Sequence, residues 1–456
     1  MKSEKIQAGK SSRLSRRNFV KLGGAVIAGA GLKLNPGSGI LPDQQEESKI
    51  KATKILGRTG FRVSDIAMGT TRIKEANVIR YVYDKGVNYF DTAEGYGGGE
   101  AEKLIGQNMQ FMDRRKIFIT SKIHVNDDES RESILNRFHK CRERLQTDYI
   151  DAFFLHNPSS SATLNHKEFH AATDQLKADG KLKYIGLSCH GPRQGRGESM
   201  ESIMLAAAED GRFDLMLFIY NFMNRDAGEK ILAACKNKNI GTTAMKTSPG
   251  VLTLDTVDPD HLTKEQMEFV QHRTNRGDSR EAAIDQLRRR AEEQSVTYEK
   301  TRPFLEKYNV TTQESLRLKS IQWVLQNPDM HTTCVSFSDF DLVDKVIPMS
   351  GTTLSSADHE LLEQYRLALD DQYCRHGCSA CAKSCPHGLP VSSIMRYAYY
   401  YQLQGFEKLA MQKYAGLQAN NALLCADCTA PCENACPYHL SVQAQLLQAH
   451  SLLTLA

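Results

Sequence analysis

Eight of the twelve cysteines lie between positions 374 and 436, in two runs: Cys374, Cys378, Cys381 and Cys385, closed by Pro386, and Cys425, Cys428, Cys432 and Cys436, closed by Pro437. Each run packs four thiols into twelve residues. That is too tight for a disulfide framework, because neighbouring sulfurs cannot all reach bridging geometry. Structural zinc more often uses two Cys-x-x-Cys hooks set apart by a loop, so the pattern points to iron and sulfur. A second chemistry-bearing set lies far upstream. Asp91, Tyr96, Lys122 and His156 are the types that carbonyl reduction needs, since hydride must reach carbon and a proton must reach oxygen. A phenol with a pKa near ~10 is a weak acid at neutral pH, and the Lys122 ammonium could lower it. Asp91 could hold that ammonium, and His156 could donate a hydrogen bond that polarises the carbonyl. Singly the four have plainer readings: a helix cap, a half-buried aromatic, a surface charge and a core histidine.

What would bring them together is the pattern around them. Candidate strands at 63–69, 88–92, 116–121, 149–155, 182–188, 214–220, 240–245 and 331–337 alternate with amphipathic helical stretches. Eight strand-then-helix units predict a (β/α)8 TIM barrel of the α/β class rather than an open sheet. Asp91, Lys122 and His156 then end strands 2, 3 and 4, and Tyr96 follows strand 2, all on the face where barrels keep their chemistry. A charged run at about 252–310, with Arg288, Arg289, Arg290, Glu292 and Glu293, interrupts the rhythm after strand 7. It predicts helices on that same face, as a solvated pair or a lid.

With these four residues, the opening Leu56-Gly57-Arg58-Thr59-Gly60-Phe61-Arg62-Val63-Ser64 and the Gly186-Leu187-Ser188 turn, the chain resembles an aldo-keto reductase over about residues 51–350. The resemblance implies a barrel, bound NADPH or NADH, and interconversion of a small carbonyl and alcohol, a sugar among the candidates. It implies Tyr96 as acid/base, Lys122 as tuner of its pKa, Asp91 as orienter and His156 as polariser, with Ser188, Tyr220, Lys246 and Ser336 toward the nucleotide. Three places depart from the family pattern. Cys189 follows Ser188 where Asn is usual, Leu217 stands where Gln is usual, and the loop Cys334 to Asp339 lacks the glycine and basic residue that hold a 2′-phosphate. Asp339 and Asp341 would repel one. The cysteine runs in turn resemble bacterial ferredoxin-type sites for two [4Fe-4S] clusters. There the cysteine before proline serves the other cluster, which leaves the allotment of Cys385 and Cys436 open. Residues 392–424, with Tyr397, Tyr399, Tyr400 and Tyr401, are helical in pattern and predict a mostly helical iron-sulfur module.

The N-terminus reads as an address. Ser15-Arg16-Arg17-Asn18-Phe19-Val20-Lys21, an uncharged stretch from Leu22 to Leu32 and Ala28-Gly29-Ala30 resemble a twin-arginine export signal. A short anchor helix or a basic tail are the alternatives, and eleven uncharged residues are too few to span a membrane. That route carries folded, cofactor-loaded proteins, so the Tat translocase is an expected partner and the periplasm or another extracytoplasmic space the destination. The expected organisation is signal 1–35, linker 36–50, barrel 51–352 and iron-sulfur domain 353–456. Of the net charge of +4, residues 1–35 supply eight basic side chains against one acid, which leaves a mildly acidic body and speaks against nucleic acid as a partner. With 41% hydrophobic residues over 456 positions, the chain is not a multi-span membrane protein. Each cluster moves one electron where a carbonyl takes two, so an electron-transfer partner is also expected. The rival reading is a non-catalytic electron-transfer or binding subunit that keeps the barrel as scaffold.

Overall fold

The computed structural model describes residues 48–456, apart from 193–196, 250–256, 263, 276, 294, 311, 404–405 and 455–456. The twin-arginine motif and the linker up to residue 47 lie outside the described residues. Eight parallel strands close a barrel in sequence order: β1 (Ile66–Gly69), β2 (Tyr89–Asp91), β3 (Phe118–Ile123), β4 (Ile150–His156), β5 (Leu182–Cys189), β6 (Leu215–Ile219), β7 (Gly241–Met245) and β8 (Thr332–Ser336). The seam is β8 against β1, with Thr333 opposite Ile66 and Ser336 opposite Gly69.

Period two does the positioning. Tyr89, Phe118, Ala152, Phe154, Leu215 and Leu217 share one apolar cluster inside the barrel. Their neighbours Phe90, Ile119, Phe153, Met216 and Phe218 belong to the larger cluster under the helices. Inside, Tyr89 stacks on Phe118 with centroids 5.4 Å apart, and Phe118 on Tyr184 at 6.1 Å. The expected first strand, 63–69, is two. Arg62–Ser64 pairs antiparallel with Thr53–Ile55, and Leu56 and Val63 join the inner cluster. Asp65 marks the break, accepting from Ser350 Oγ at 2.7 Å and the Gly351 amide at 2.8 Å.

The outer ring is α1 (Ala76–Asp84), α2 (Glu100–Asn108), α3 (Arg131–Arg144), α4 (Lys167–Ala178), α5 (Met200–Asp210) and α6 (Arg225–Asn237). After β7 the charged run forms α7 (Lys264–Thr274), α8 (Arg280–Glu293) and α9 (Ser295–Lys307), before α10 (Gln313–Leu325) and α11 (Phe340–Val346). Helix α12 (Ser356–Ala368) opens with a capping box of Ser355 and Asp358. Although it lies beyond 352, its Leu361, Leu362 and Tyr365 pack with Phe222, Leu305 and Leu316, on the barrel side.

The cysteine-bearing remainder is helical: α13 (Val391–Leu403), α14 (Glu407–Ala415), α15 (Pro431–Asn434) and α16 (Val442–Leu453). It has its own apolar cluster, which includes Ile394, Ala410, Tyr414, Leu446 and Leu453 together with Cys425, Cys432 and Cys436. Its first cysteine loop lies flat against the loop after β5. A Cβ at Gly191 would sit 2.3 Å from Gly377 Cα, and both glycines are left-handed, at φ 94° and 89°. The Met200 amide donates to Gly377 O at 2.9 Å. From α13, the Arg396 guanidinium donates to His190 O and Pro192 O, both at 3.0 Å. Among the described residues no helix is long and apolar enough to cross a membrane.

Candidate active site at the barrel mouth

The inward parity of each strand carries a polar residue to its C-terminal end. Asp91 follows Tyr89 by two, Lys122 follows Phe118 by four, His156 follows Phe154 by two and Ser188 follows Tyr184 by four, so all face the mouth. Tyr96 arrives from the loop after β2, where Gly97, Gly98 and Gly99 are left-handed at φ 59°, 67° and 96°. Three consecutive residues so placed favour glycine, and they turn the chain sharply into α2.

Lys122, fully buried, donates to the Asp91 carboxylate at 2.7 Å and to Thr92 O at 2.6 Å, while Thr120 Oγ1 donates to Asp91 at 2.8 Å. The Lys122 ammonium lies 5.1 Å from the centre of the Tyr96 ring. Tyr96 meets His156 edge to face at 6.1 Å. Burial works against the Lys122 charge, yet Asp91 and Tyr96 beside it hold its pKa above the ordinary value. The Tyr96 phenol departs from the sequence expectation. Burial raises its pKa, and Lys122 offsets only part of that rise because Asp91 opposes it.

These four line a cavity of about 570 Å³. Ser188, Lys246 and Ser336 line it too. Ser188 is 2% exposed, and its hydroxyl has no partner among the described residues, so a bound carboxamide would satisfy it. Tyr220 is a correction. It shares the outward parity of Met216 and Phe218, its ring lies 5.0 Å from Trp323, its hydroxyl donates to Glu229 and accepts from Asn327 at 2.7 Å, and it does not line the cavity. Leu217 lines the cavity where the family pattern has Gln. Asp339 caps α11, accepting from the Leu342 amide at 2.9 Å. Cys189, the isolated thiol nearest the site in sequence, has outward parity, and burial pushes it up to about 12.

His124 and Asn157 are among the lining residues that escaped the sequence reading. His124 stacks face to face on His156 at 4.2 Å, and its place two residues after Lys122 on β3 was the available signal. Asn157, left-handed at φ 49°, accepts from the His190 amide at 2.8 Å. The roof of the cavity comes from the cysteine-bearing region through Arg396, Tyr399, Tyr400, Phe406 and Lys413. Only a fold could reveal that, because residues 240 positions or more from His156 in sequence close over it.

None of the eight clustered cysteines is in a disulfide among the described residues, and they sort into two neighbourhoods that cross the runs. Cys374, Cys378, Cys381 and Cys436 line one small cavity. Burial and then Cys378, Cys381 and Cys436 push the Cys374 thiol up, and burial with its neighbours brings Cys381 to about 12. Cys425 is raised to about 11 by burial, then by Cys385, Cys428 and Cys432. Among the described residues no three His, Cys, Asp or Glu side chains converge on a single point as ligands of one ion.

The sequence profile of the Aldo/keto reductase family matches residues 60–366. Among curated proteins, "Probable aldo-keto reductase 1" of Glycine max is 28% identical over 215 residues, 43% of this chain and 58% of that protein. "Probable voltage-gated potassium channel subunit beta" of Arabidopsis thaliana is 30% identical over 223 residues, 44% of this chain and 65% of that protein. The chain thus spans about three fifths of the length of these relatives. Among solved structures, the holo form of an aldo-keto reductase from Bacillus halodurans has a TM-score of 0.49 at 16% identity, covering 70% of this chain and 96% of that one. With the profile spanning well over half of its length, the chain belongs to the aldo/keto reductase family, whose members are typically NAD(P)-dependent oxidoreductases.

Proposed function

We propose that this protein is an exported iron-sulfur oxidoreductase that interconverts a small carbonyl and its alcohol. The observation that carries the reading is the Asp91–Lys122 pair beside Tyr96 and His156 in one cavity at the barrel mouth. A nicotinamide nucleotide, when bound, would supply hydride chemistry at the carbonyl carbon. Ser188 and Asn157 would hold its carboxamide, with Lys246 and Ser336 further along the cavity. As charge develops on the carbonyl oxygen, the Tyr96 hydroxyl delivers its proton there. The Lys122 ammonium, kept in place by Asp91 and Thr92 O, stabilises the phenolate that results. His156 donates to the same oxygen, its ring steadied by the stack on His124. In the reverse direction Tyr96 takes the alcohol proton.

The cysteine neighbourhoods fit two [4Fe-4S] clusters with crossed ligands: Cys374, Cys378, Cys381 and Cys436 for one, Cys385, Cys425, Cys428 and Cys432 for the other. A cubane spreads its four thiolates around a body, one per iron, which suits sulfurs lining a cavity rather than meeting at a point. Such clusters would hold the helical region together and offer one-electron exchange with a partner. The twin-arginine motif supports export with cofactors in place, and the domain limits 1–35, 36–50, 51–352 and 353–456 go with that reading, except that α12 packs on the barrel side of the last boundary.

The test is titration of NADPH and NADH into anaerobically purified protein, followed by an aldehyde and sugar screen with the wild type and Tyr96→Phe. Micromolar binding and turnover that Tyr96→Phe abolishes support the enzyme. Leu217 in the nucleotide wall, and a relative named as a channel subunit, favour the scaffold reading. Absence of nucleotide binding together with absence of turnover would establish it.

A further inference from the structure

We propose that the cysteine-bearing region gives the active-site cavity an anion-binding wall of Arg396 and Lys413, beside the nucleotide-facing Lys246, and that the carbonyl substrate carries a carboxylate or phosphate held there. The inference rests on the carbonyl-reducing reading and adds the class of substrate. The cavity is lined by Lys246 from the barrel and by Arg396 and Lys413 from the roof, with Arg72 and Arg317 at its sides. Asp91 is the one carboxylate among the described lining residues, and Lys122 already holds it. Arg396 is 4% exposed, and its bonds to His190 O and Pro192 O fix the guanidinium without neutralising it. A buried cation paired only with neutral dipoles leaves a positive field that an anion can complete.

Two neutral groups register that field. The Lys246 ammonium lies 5.5 Å from the Tyr400 ring centre. Burial alone would raise the Tyr400 phenol, but Lys246, Arg396 and Lys413 hold it below its ordinary value. His190 is pushed down by burial and then by Lys246 and Arg396. Arg396 and Lys413 both lie beyond residue 366, where the family match ends, so the shared barrel does not supply them. The other source of the same anionic chemistry is the nucleotide's own phosphates, and the experiment separates the two.

The holoenzyme is assayed with 4-carboxybenzaldehyde and its uncharged methyl ester, methyl 4-formylbenzoate. The expected result is a preference of roughly tenfold or more in kcat/KM for the carboxylate, largely lost in Lys413→Glu while NADPH affinity stays unchanged. Equal turnover of the two aldehydes overturns the inference. So does a Lys413→Glu defect that falls equally on both and on NADPH affinity, since the wall then serves the nucleotide. If neither aldehyde turns over, the carbonyl-reducing reading is what fails, and calorimetric titration of benzoate against benzamide decides the wall separately. Benzoate bound about tenfold tighter by the wild type, but not by Lys413→Glu, keeps the wall; equal binding removes it.

Discussion

The barrel and the cysteine-bearing region place their chemistry by different physics. In the barrel, strand alternation aims Asp91, Lys122, His156 and Ser188 at one point, and packing of Tyr89, Phe118 and Phe154 below them fixes the aim. In the C-terminal region the eight cysteines sit on loops and short turns, some of them folded into the region's own apolar cluster. Burial and crowding there hold the thiols of Cys374, Cys381 and Cys425 above their ordinary pKa. The barrel site is thus preorganised by hydrophobic burial, whereas the two clusters proposed above would have to organise the second.

The largest effect expected is on catalysis. Tyr96→Phe should cost about 10²–10⁴-fold in kcat for carbonyl reduction, with iron content and melting temperature unchanged. A parallel loss of iron would show the two regions are not separable. Next comes ligand allotment. Cys436→Ser should leave the same residual cluster spectrum as Cys374→Ser, and Cys385→Ser the same as Cys425→Ser, each with about half the iron of the wild type. Spectra that group by run instead would undo the crossed assignment.

The third prediction concerns pH. Because burial raises the Tyr96 phenol, its proton is retained beyond the ordinary value near ~10. The reductive kcat/KM should therefore stay level through neutral pH and fall only on the alkaline side of that value. A break near neutrality would assign the proton to another group. The smallest effect lies at the β7–β8 seam. His331 accepts from the Thr242 amide at 3.1 Å, and burial, then Lys54, pushes it down to about 4. Its folded pKa lies below its unfolded one, so the unfolded chain binds the extra proton between them. Stability is full above the unfolded pKa of ~6.5 and drains as pH falls toward 4, by on the order of 1–3 kcal/mol. Chemical denaturation at pH 7 and 4.5, with His331→Gln as control, measures it.

Much of the barrel was legible because its signal is local: seven of the eight β-branched or aromatic runs lie within two residues of a strand at both ends, and the first, 63–69, shares its end with β1. The split at Asp65 was not, since it depends on Ser350 and Gly351 almost 300 positions away. The four candidate catalytic residues met as their spacing implied. Tyr220 did not, although parity with Leu215 and Leu217 was visible in the sequence and would have turned it outward. The positive direction of the Tyr96 shift was hidden as well, because Asp91 both anchors Lys122 and spends its charge. The roof was beyond reach, as amphipathic periodicity shows that α13 has an inner face and not what that face covers.

The contact of Gly191 with Gly377 admits not even a methyl group between the barrel loop and the first cysteine loop. One stretch of backbone is thereby shared between a vessel for substrate and a cradle for sulfur ligands. Were the proposed clusters lost to oxygen, the loss would reach the substrate as a change of shape, with no electron having to travel. The protein handled in air should then alter in what it accepts before it alters in how fast it turns over.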